Sequence, residues 1–409
     1  MIAFRRMGKA SRGANASSRM EAACGALCRG SCAYGTAAFA AFVLSLSALS
    51  VAPTAAASEA PIVVQDATAA PERIEGVEFA SDIESVAANA TGGKPGPIVL
   101  VLPLASESFR RAAEAVRAGF LAAADAAKAT PLVIEHGDGD VMTAFAKAKA
   151  AGASVIVGPL VRDDMKALGQ SGVELPPTIA LNQLDEGASL PRNVYILTLT
   201  IDGEARQLAR VARDDGAATV AVIASDTPRQ QRFASAFNAE WILAGGDAPV
   251  MFRFDPSPDV LRLLKRELGT ARVDVTLLAV DAADAARAKP YVGSIPSYTS
   301  SEVNERQPPD VLRDLDNVRF VEIPWLANAD TGASPDPKRA EYSNPALERL
   351  YALGMDAFRV AQAFADGKPS QLEFDGATGH LSLESTRQFA REGKLMQFRA
   401  GHVVPAGAR

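Results

Sequence analysis

The sequence predicts an α/β protein made of two doubly wound lobes that meet at a hinge. Between residues 98 and 289, short and nearly uninterrupted apolar runs alternate with segments of helical periodicity. This alternation is typical of parallel strands that are covered by helices on both faces. The chain has 409 residues, of which 48% are apolar. A domain with a single hydrophobic core usually has fewer residues than this. We therefore expect two lobes.

The apolar runs locate the strands and the lobe boundaries. The predicted strands are residues 98–102, 132–134, 154–157, 178–181, 194–199, 219–223, 250–254, 275–280 and 318–323. An apolar stripe predicts a helix over 107–127 with Ser106 as its cap, and a second stripe predicts a helix over 203–214. We assign residues 97–200 and 291–385 to lobe 1, and residues 201–290 and 386–409 to lobe 2.

The first 57 residues have the pattern of a secretory signal peptide. A basic stretch precedes the apolar run 37–52, and small residues ending at Ala57 follow it. An uncleaved anchor is the alternative, although the run is shorter than the roughly 20 residues of a membrane span. We expect cleavage after Ala57, a periplasmic location and no membrane span in the mature chain. Residues 58–96, rich in Ala, Pro, Thr and Gly, are predicted to be a flexible linker.

The positions of the cysteines argue against a lipid anchor, and the charges argue against nucleic-acid binding. Cys24, Cys28 and Cys32 all precede the apolar run, so the mature chain is predicted to contain no thiol and no lipid anchor at a lipobox cysteine. The full chain has 42 basic and 48 acidic residues, and its first 57 residues contain six basic residues and one acidic residue, which leaves −11 for the remainder. An acidic body without a Lys/Arg run argues against nucleic-acid binding.

The residues that follow the strands are the candidate ligand-binding residues, because ligands of open α/β sheets bind beyond the carboxyl ends of the strands. In the first half of the chain these candidates are Ser106, Ser108, Asp138, Gly158, Asn182 and Gln183. Further along the chain they are Asp226, Tyr298, Ser300 and Ser301. Structural roles remain open for several of them: Gly158 in a tight turn, Asn182 and Gln183 as turn caps, and 298–301 as a plain polar turn.

Neither a metal nor a cofactor is predicted. His136, Asp138 and Asp140 alternate as metal ligands can, but the glycines between them favour a turn. Asp163 and Asp164 fall in a predicted first helical turn, where they would compete with a ligand carboxylate for the helix amino terminus. The three histidines are scattered, and no G-x-S-x-G or H-E-x-x-H motif is present. We therefore expect a protein that is not an enzyme.

Several linear motifs carry a resemblance to a known family. They are VIVGPL at 155–160, ALNQ at 180–183, LTLTIDGEARQLAR at 197–210, YTSS at 298–301, RLYALGMDAFRV at 349–360, FDGATGHLSLE at 374–384 and QFRAGHVVP at 397–405. Together they resemble the C-terminal domain of the penicillin-binding-protein activator family, which has the type 1 periplasmic-binding-protein fold. The resemblance implies a regulator of peptidoglycan synthesis that contacts a bifunctional penicillin-binding protein. The helical-repeat amino-terminal domain and the lipidated cysteine of that family are not expected from this sequence.

The alternative function is that of a substrate-binding protein of an ABC importer on the same fold, in which a ligand closes the two lobes. Amino-acid binders of this kind are similar to one another in a Ser/Thr-rich loop after the third strand. Here that loop reads Gly-Pro-Leu-Val-Arg-Asp-Asp from Gly158. Because this loop is not rich in Ser and Thr, an amino-acid ligand is less favoured. A small polar ligand in the inter-lobe cleft remains the alternative.

Overall fold

A computed structural model describes residues 96–184, 188–305, 309–328, 342, 344–369 and 372–407. All of these residues belong to one compact unit, Arg73–Arg409. The predicted signal peptide, its three cysteines and nearly all of the predicted linker lie outside the described residues. Among the helices of the described ranges, none is long and apolar enough to span a membrane.

The first sheet has five parallel strands in the order β2-β1-β3-β4-β5. The strands are β1 Ile98–Leu102, β2 Leu132–Glu135, β3 Val155–Val157, β4 Thr178–Ala180 and β5 Val194–Ile196. Val99 lies opposite Leu132 on one side and Ile156 on the other. The uninterrupted apolar runs are explained by this position, because β1 and β3 are buried on both faces.

The second sheet has seven strands in the order β15-β14-β10-β9-β8-β6-β7. They are β6 Val220–Ala224, β7 Val250–Arg253, β8 Val275–Ala279, β9 Ser297–Thr299, β10 Val318–Glu322, β14 Lys394–Arg399 and β15 His402–Pro405. The pairs from β7 to β10 are parallel, whereas β10 with β14 and β14 with β15 are antiparallel. A third, antiparallel sheet contains β11 Glu373–Asp375, β12 His380–Leu383 and β13 Phe389–Glu392.

Helices cover the sheets as the α/β prediction requires, and the fold class is confirmed. They are α1 Arg110–Ala126, α2 Val141–Ala150, α3 Arg162–Ser171, α4 Ile201–Asp214, α5 Pro228–Leu243, α6 Pro258–Ala271, α7 Ala282–Val292, α8 Pro309–Asp314, α9 Pro324–Ala327 and α10 Pro345–Ala365. A 3-10 turn at Ser301–Asn304 follows β9. Thr200 caps α4 by accepting a hydrogen bond from the Gly203 amide, and Asn344 caps α10.

The predicted lobe boundaries need a correction at 291–385. Strands β9 and β10, within that range, belong to the second sheet rather than to the first. The helix α10 and the third sheet pack into the core of the first sheet through Phe358, Leu381 and Phe389. The chain therefore crosses between the lobes near residue 200 as predicted, then after Ile323, and finally at Gly393, rather than near 290 and 385. Short strands that carry polar residues, such as Ser-Tyr-Thr in β9, do not produce the apolar run on which the prediction depended.

Two glycines allow helices α1 and α10 to pack closely in lobe 1. A Cβ at Gly119 would lie 1.9 Å from the Tyr351 carbonyl oxygen, and one at Gly354 would lie 2.1 Å from the Val116 carbonyl oxygen. Each helix thus presents a bare backbone to the other. Around this crossing Phe120 and Phe358 meet edge to face with ring centroids 5.3 Å apart.

We predict that Gly354→Ala destabilises the protein. The added methyl group would overlap a carbonyl oxygen in a packed core, so the free energy of unfolding should fall by about 1–3 kcal/mol. Urea unfolding followed by circular dichroism measures the change. The matched control is Gly269→Ala in α6, where an added Cβ meets nothing within 4 Å and alanine should stabilise the helix by up to about 1 kcal/mol. Equal shifts of the two variants in one direction would contradict the close-crossing argument.

Candidate functional site

The candidate residues of the first sheet gather at its carboxyl edge, because all five strands are parallel. Ser108 and Asp138 are exposed there. Ser106 is buried, and its hydroxyl accepts a hydrogen bond from the Phe109 amide at 3.2 Å, at the entrance to α1. The N-cap residue of α1 is Phe109, which has no side-chain cap, so the prediction of Ser106 as the helix cap is wrong and its hydroxyl instead closes the turn before the helix.

Gly158, Asn182 and Gln183 form the neighbouring part of this edge. The Asn182 side chain donates to the Leu160 carbonyl at 2.9 Å and accepts from the Gln183 amide at 2.9 Å. Gly158 has a φ of 120°, and a Cβ there would lie 2.3 Å from the Val101 carbonyl oxygen. Gly158 therefore forms a tight turn after β3, and Asn182 caps the turn after β4. These are the structural roles that the sequence analysis left open for them.

In lobe 2, the structure separates the four remaining candidates. Asp226 is exposed after β6 and forms an ion pair with Arg253. Ser300 and Ser301 are adjacent and buried at the carboxyl end of β9. The Ser300 hydroxyl has no hydrogen-bond partner in the described part of the chain.

Tyr298 is a core residue and not a cleft residue, which corrects its assignment as a candidate. It is 0% exposed and packs between the second sheet and α4. Its hydroxyl donates to Asp215 at 2.9 Å, and Arg319 donates to the same carboxylate oxygen at 2.6 Å. Burial and the neighbouring Asp215 raise the pKa of Tyr298 to about 12. Asp215 follows the last residue of α4, whereas Ser301 binds Glu204 in the first turn of that helix, so the tyrosine hydroxyl and Ser301 lie at opposite ends of α4.

A buried ion pair joins the lobes where the chain leaves β10. Arg349, in the first turns of α10, donates to both carboxylate oxygens of Glu322, at 3.1 and 2.7 Å. The Glu322 carboxylate is also hydrogen-bonded by the Asn304 side chain and the Ile323 amide. Glu322 is 1% exposed. A two-pronged pair of this kind fixes the relative orientation of its two elements, here α10 of lobe 1 and β10 of lobe 2.

The same cluster continues into α4. Arg349 also donates to the Ser301 carbonyl at 2.9 Å. The amide and hydroxyl of Ser301 donate to the two oxygens of Glu204, at 2.9 and 2.8 Å. Burial raises the pKa of the Glu204 carboxyl, while the positive charge of Arg391 opposes the shift. Ser301, predicted as a ligand-cleft residue, is thus committed to Glu204 and Arg349.

Arg391 and Asp356 place two further charges beside this cluster; Asp356 is buried and Arg391 is half-buried. Arg391, in β13, donates to the Thr378 carbonyl at 3.3 Å, and its Nε has no hydrogen-bond partner among the described residues. Asp356, in α10, accepts from the Ala377 and Thr378 amides at 2.8 and 2.7 Å. A Cβ at Gly376 would lie 2.5 Å from the Asp356 carboxylate, which explains the glycine of the hairpin motif.

The last crossing between the lobes is held by a side-chain amide. Gln207 of α4 donates to the Gly393 carbonyl at 2.8 Å and accepts from the Gly393 amide at 2.9 Å. These are the two hydrogen bonds that a neighbouring strand would make. The backbone between β13 and β14 is therefore fixed to lobe 2 at the point where it leaves lobe 1.

Sequence reasoning missed most of this cluster, which we call the hinge cluster: Glu204, Gln207, Ser301, Glu322, Arg349, Asp356 and Arg391. Five of these residues lie inside the resembling motifs, at 197–210, 298–301 and 349–360. Their presence in the motifs was the only available signal. Arg349 and Glu322 are 27 residues apart and lie on different lobes, so no local spacing connects them.

A second buried pair lies in lobe 1. The Nε2 atom of His136 is 3.9 Å from the Asp164 carboxylate, and His136 Nδ1 lies 2.9 Å from the Gly137 carbonyl. Burial raises the pKa of Asp164, and His136 opposes the shift. Asp164 is in the first turn of α3, as predicted, but it is 6% exposed and is not a solvated helix end. Within the described ranges, no group of three His, Cys, Asp or Glu side chains could hold a metal ion.

The hinge cluster can hold the two lobes in one orientation. Its charged side chains fill the hinge side of the cleft. A solute-binding site needs polar groups that are available to a ligand. In the hinge cluster the Glu322 and Glu204 oxygens already have donors. The Ser300 hydroxyl and the Arg391 Nε are the polar atoms without partners beside it, within the described chain.

The sequence matches a family described as "LppC putative lipoprotein" over residues 67–401. Among curated proteins, it is 27% identical over 308 residues to "Penicillin-binding protein activator LpoA" of Edwardsiella piscicida, with 64% of this chain and 44% of that protein covered. It is 25% identical over 300 residues to LpoA of Escherichia coli strain K12, with coverage of 62% and 44%. The chain therefore spans less than half the length of these curated relatives.

Two solved structures share the fold. The C-domain of LpoA from Haemophilus influenzae, "a regulator of PBP1A", has a TM-score of 0.65 at 22% identity, with 76% of this chain and 99% of that chain covered. A "putative branched-chain amino acid ABC transporter" from Chromobacterium violaceum has a TM-score of 0.65 at 33% identity, with 73% and 99% covered. The type 1 periplasmic-binding-protein-like fold is thus confirmed.

We predict that Arg349→Met lowers the free energy of unfolding by about 3–5 kcal/mol, because it leaves the Glu322 charge buried without its partner. The double variant Arg349→Met/Glu322→Gln removes that charge and should recover at least about 1 kcal/mol. Urea unfolding measures both.

The control is Arg262→Met, which removes an exposed ion pair to Asp259 and should cost less than about 1 kcal/mol. A double variant no more stable than Arg349→Met would contradict the role of an uncompensated charge.

We also predict how Tyr298 affects the stability of the folded chain at alkaline pH. Its pKa is raised from 10.0 to about 12, so the folded chain keeps the phenol proton while the unfolded chain loses it. The resulting stability is present below pH 10 and is lost as the pH rises through about 12. Tyr298→Phe should be less stable at pH 7 by about 1 kcal/mol and should lose less stability across the alkaline range. Urea midpoints at a series of pH values, with Tyr291→Phe as control, test this; parallel curves for wild type and Tyr298→Phe would refute it.

Proposed function

The chain belongs to the LppC family, and from this we propose that it is a non-enzymatic activator of a penicillin-binding protein that works by direct contact. The observation that carries the proposal is the match over residues 67–401, together with the named activity of the LpoA relatives. The partner would be a bifunctional penicillin-binding protein in the periplasm. Because the chain covers 44% of those relatives, activity and partner are proposed for it.

The hinge cluster supports a contact function over a ligand-closed one. A solute-binding protein of this architecture closes its lobes about a ligand, and its free energy of closure comes from contacts made in the closed state. Here Arg349 already bonds Glu322 and the Ser301 carbonyl across the lobes. Their orientation is therefore stabilised without a ligand, which suits a surface that a protein partner recognises as a whole.

The second candidate is a substrate-binding protein of an ABC importer for a small polar ligand. The 33% identity to the Chromobacterium violaceum structure favours it. So does the Ser300 hydroxyl, which is buried beside the hinge cluster and has no partner in the described chain. Such a ligand would bind against Ser300 and Arg391 at the hinge side of the cleft.

We predict that the purified protein raises glycan polymerisation, crosslinking or both by a purified bifunctional penicillin-binding protein. The change should depend on the concentration of this chain and saturate, because it reflects formation of a complex. Co-purification on an immobilised synthase provides the binding measurement. A monofunctional transpeptidase serves as the specificity control.

The same preparation separates the two candidates. In a thermal-shift panel of amino acids, peptides and muropeptides at millimolar concentrations, Ser300→Ala should leave every ligand-dependent rise in melting temperature unchanged, because a ligand held against Ser300 would raise the melting temperature of the wild type alone. A ligand-dependent rise that Ser300→Ala abolishes, with no effect on the synthase, would establish the importer function and overturn the activator proposal.

A further inference from the structure

A polar cavity of about 490 Å³ opens in lobe 2, at the end of the sheet opposite the inter-lobe cleft. It lies where the chain enters β9 and β10, whereas Ser300 and Ser301 follow β9 at the other end. Its volume falls within the range of about 300–1,000 Å³ that small-molecule sites have. None of the candidate ligand-binding residues named from the sequence lines this cavity.

The wall of the cavity contains a buried ammonium group. Lys289 of α7 is 8% exposed, and its ammonium donates a hydrogen bond to the Gly293 carbonyl. Burial lowers the pKa of Lys289, and Asp316 opposes the shift. The Asp316 oxygens accept from the Ala400 amide and the Asn317 side chain, and no described carboxylate forms an ion pair with Lys289.

A buried side-chain amide faces the same cavity. Gln397 of β14 is 8% exposed and lines the cavity opposite Arg319 of β10. Its side-chain amide makes no hydrogen bond to any described residue. The side chain lines the open cavity, so its donors are available to a ligand. A largely buried ammonium group and an unpaired side-chain amide thus border one cavity.

The remaining charges of the wall have both signs. Arg319 is anchored by its hydrogen bond to Asp215, which Tyr298 also holds. Arg313 and Asp314, at the end of α8, are exposed at the rim. The floor of the cavity is therefore cationic and amide-lined, and an acidic side chain is present at its mouth.

We propose that this cavity binds a small carboxylate ligand of the size of an amino acid or dipeptide. The carboxylate pairs with the Lys289 ammonium and accepts from the Gln397 amide, and Arg313 adds positive charge at the rim. The Lys289 ammonium has a carbonyl partner but no anionic one, and an incoming carboxylate compensates its charge with charge-assisted hydrogen bonds. An ammonium group on the same ligand meets Asp314. The site is independent of the proposed synthase contact, so either can fail without the other.

The experiment measures binding of glycylglycine and succinate to the full chain by isothermal titration calorimetry, with saturation-transfer NMR to detect weak binding. Glycylglycinamide, which lacks the carboxylate, is the matched probe. We expect glycylglycine to bind at millimolar concentrations and glycylglycinamide to bind at least about tenfold more weakly, which is the effect of losing a charge-assisted pair.

Two variants assign the binding to this cavity. Lys289→Met keeps the length and apolar stem of the side chain and should weaken glycylglycine binding at least about tenfold; Gln397→Leu should weaken it by a smaller factor and covers the case in which Lys289→Met does not fold. Lys265→Met, on the exposed face of α6, is the control and should bind as the wild type does. Equal affinity for glycylglycine and its amide, unchanged affinity in both cavity variants, or no saturable binding of glycylglycine or succinate would overturn the proposal.

Discussion

The buried pair between Arg349 and Glu322 is the interaction on which the arrangement of the two lobes depends. The chain passes between the lobes three times, and the pair lies beside the second passage, while Gln207 holds the third. Removing two charges from water is unfavourable unless every hydrogen-bonding atom finds a partner. Glu322 meets this condition through Arg349, Asn304 and the Ile323 amide. Because these donors come from both lobes, the condition is met in one relative orientation.

The packing of lobe 1 positions Arg349 for its ion pair with Glu322. Arg349 is at the start of α10, and α10 is fixed against α1 by a crossing in which Gly119 and Gly354 leave no room for side chains. Further along the same helix, Asp356 binds the amides of the hairpin between β11 and β12. One helix therefore carries a close backbone contact, a hairpin anchor and an inter-lobe ion pair. This combination explains why the motif over residues 349–360 contains an arginine, a glycine and an aspartate at fixed spacing.

The sequence was sufficient to predict the parallel strands and the two-lobed α/β class, since buried parallel strands consist of apolar runs that can be read locally. The sequence was insufficient to predict β9, because its Ser-Tyr-Thr sequence resembles a loop. Without β9, the following strand β10 was assigned to lobe 1 rather than to lobe 2. Tyr298 was expected to be a cleft residue because its segment was placed among the polar residues that follow the strands. Its hydroxyl instead reaches Asp215, 83 residues away. The hinge cluster escaped prediction for the same reason: Ser301 and Glu204 are separated by 97 residues, and pairing at that distance leaves no periodic signal.

A hinge held by its own charges changes which surfaces of this fold can function. In a ligand-closed protein, the cleft transmits binding energy into lobe motion, and the polar groups at the hinge must be available to the ligand. Here most of those groups are paired within the chain, so the orientation of the lobes is already set before any molecule binds. A protein partner of the proposed kind would then meet a surface of fixed shape, and binding would cost less conformational entropy, which is the physical advantage of preorganisation. The cavity beneath β9 and β10 is compatible with this arrangement, because a ligand bound within lobe 2 does not require the lobes to move. Rigid lobes and a small site at their far end are therefore compatible in one chain, whereas a closing cleft and a paired hinge oppose each other.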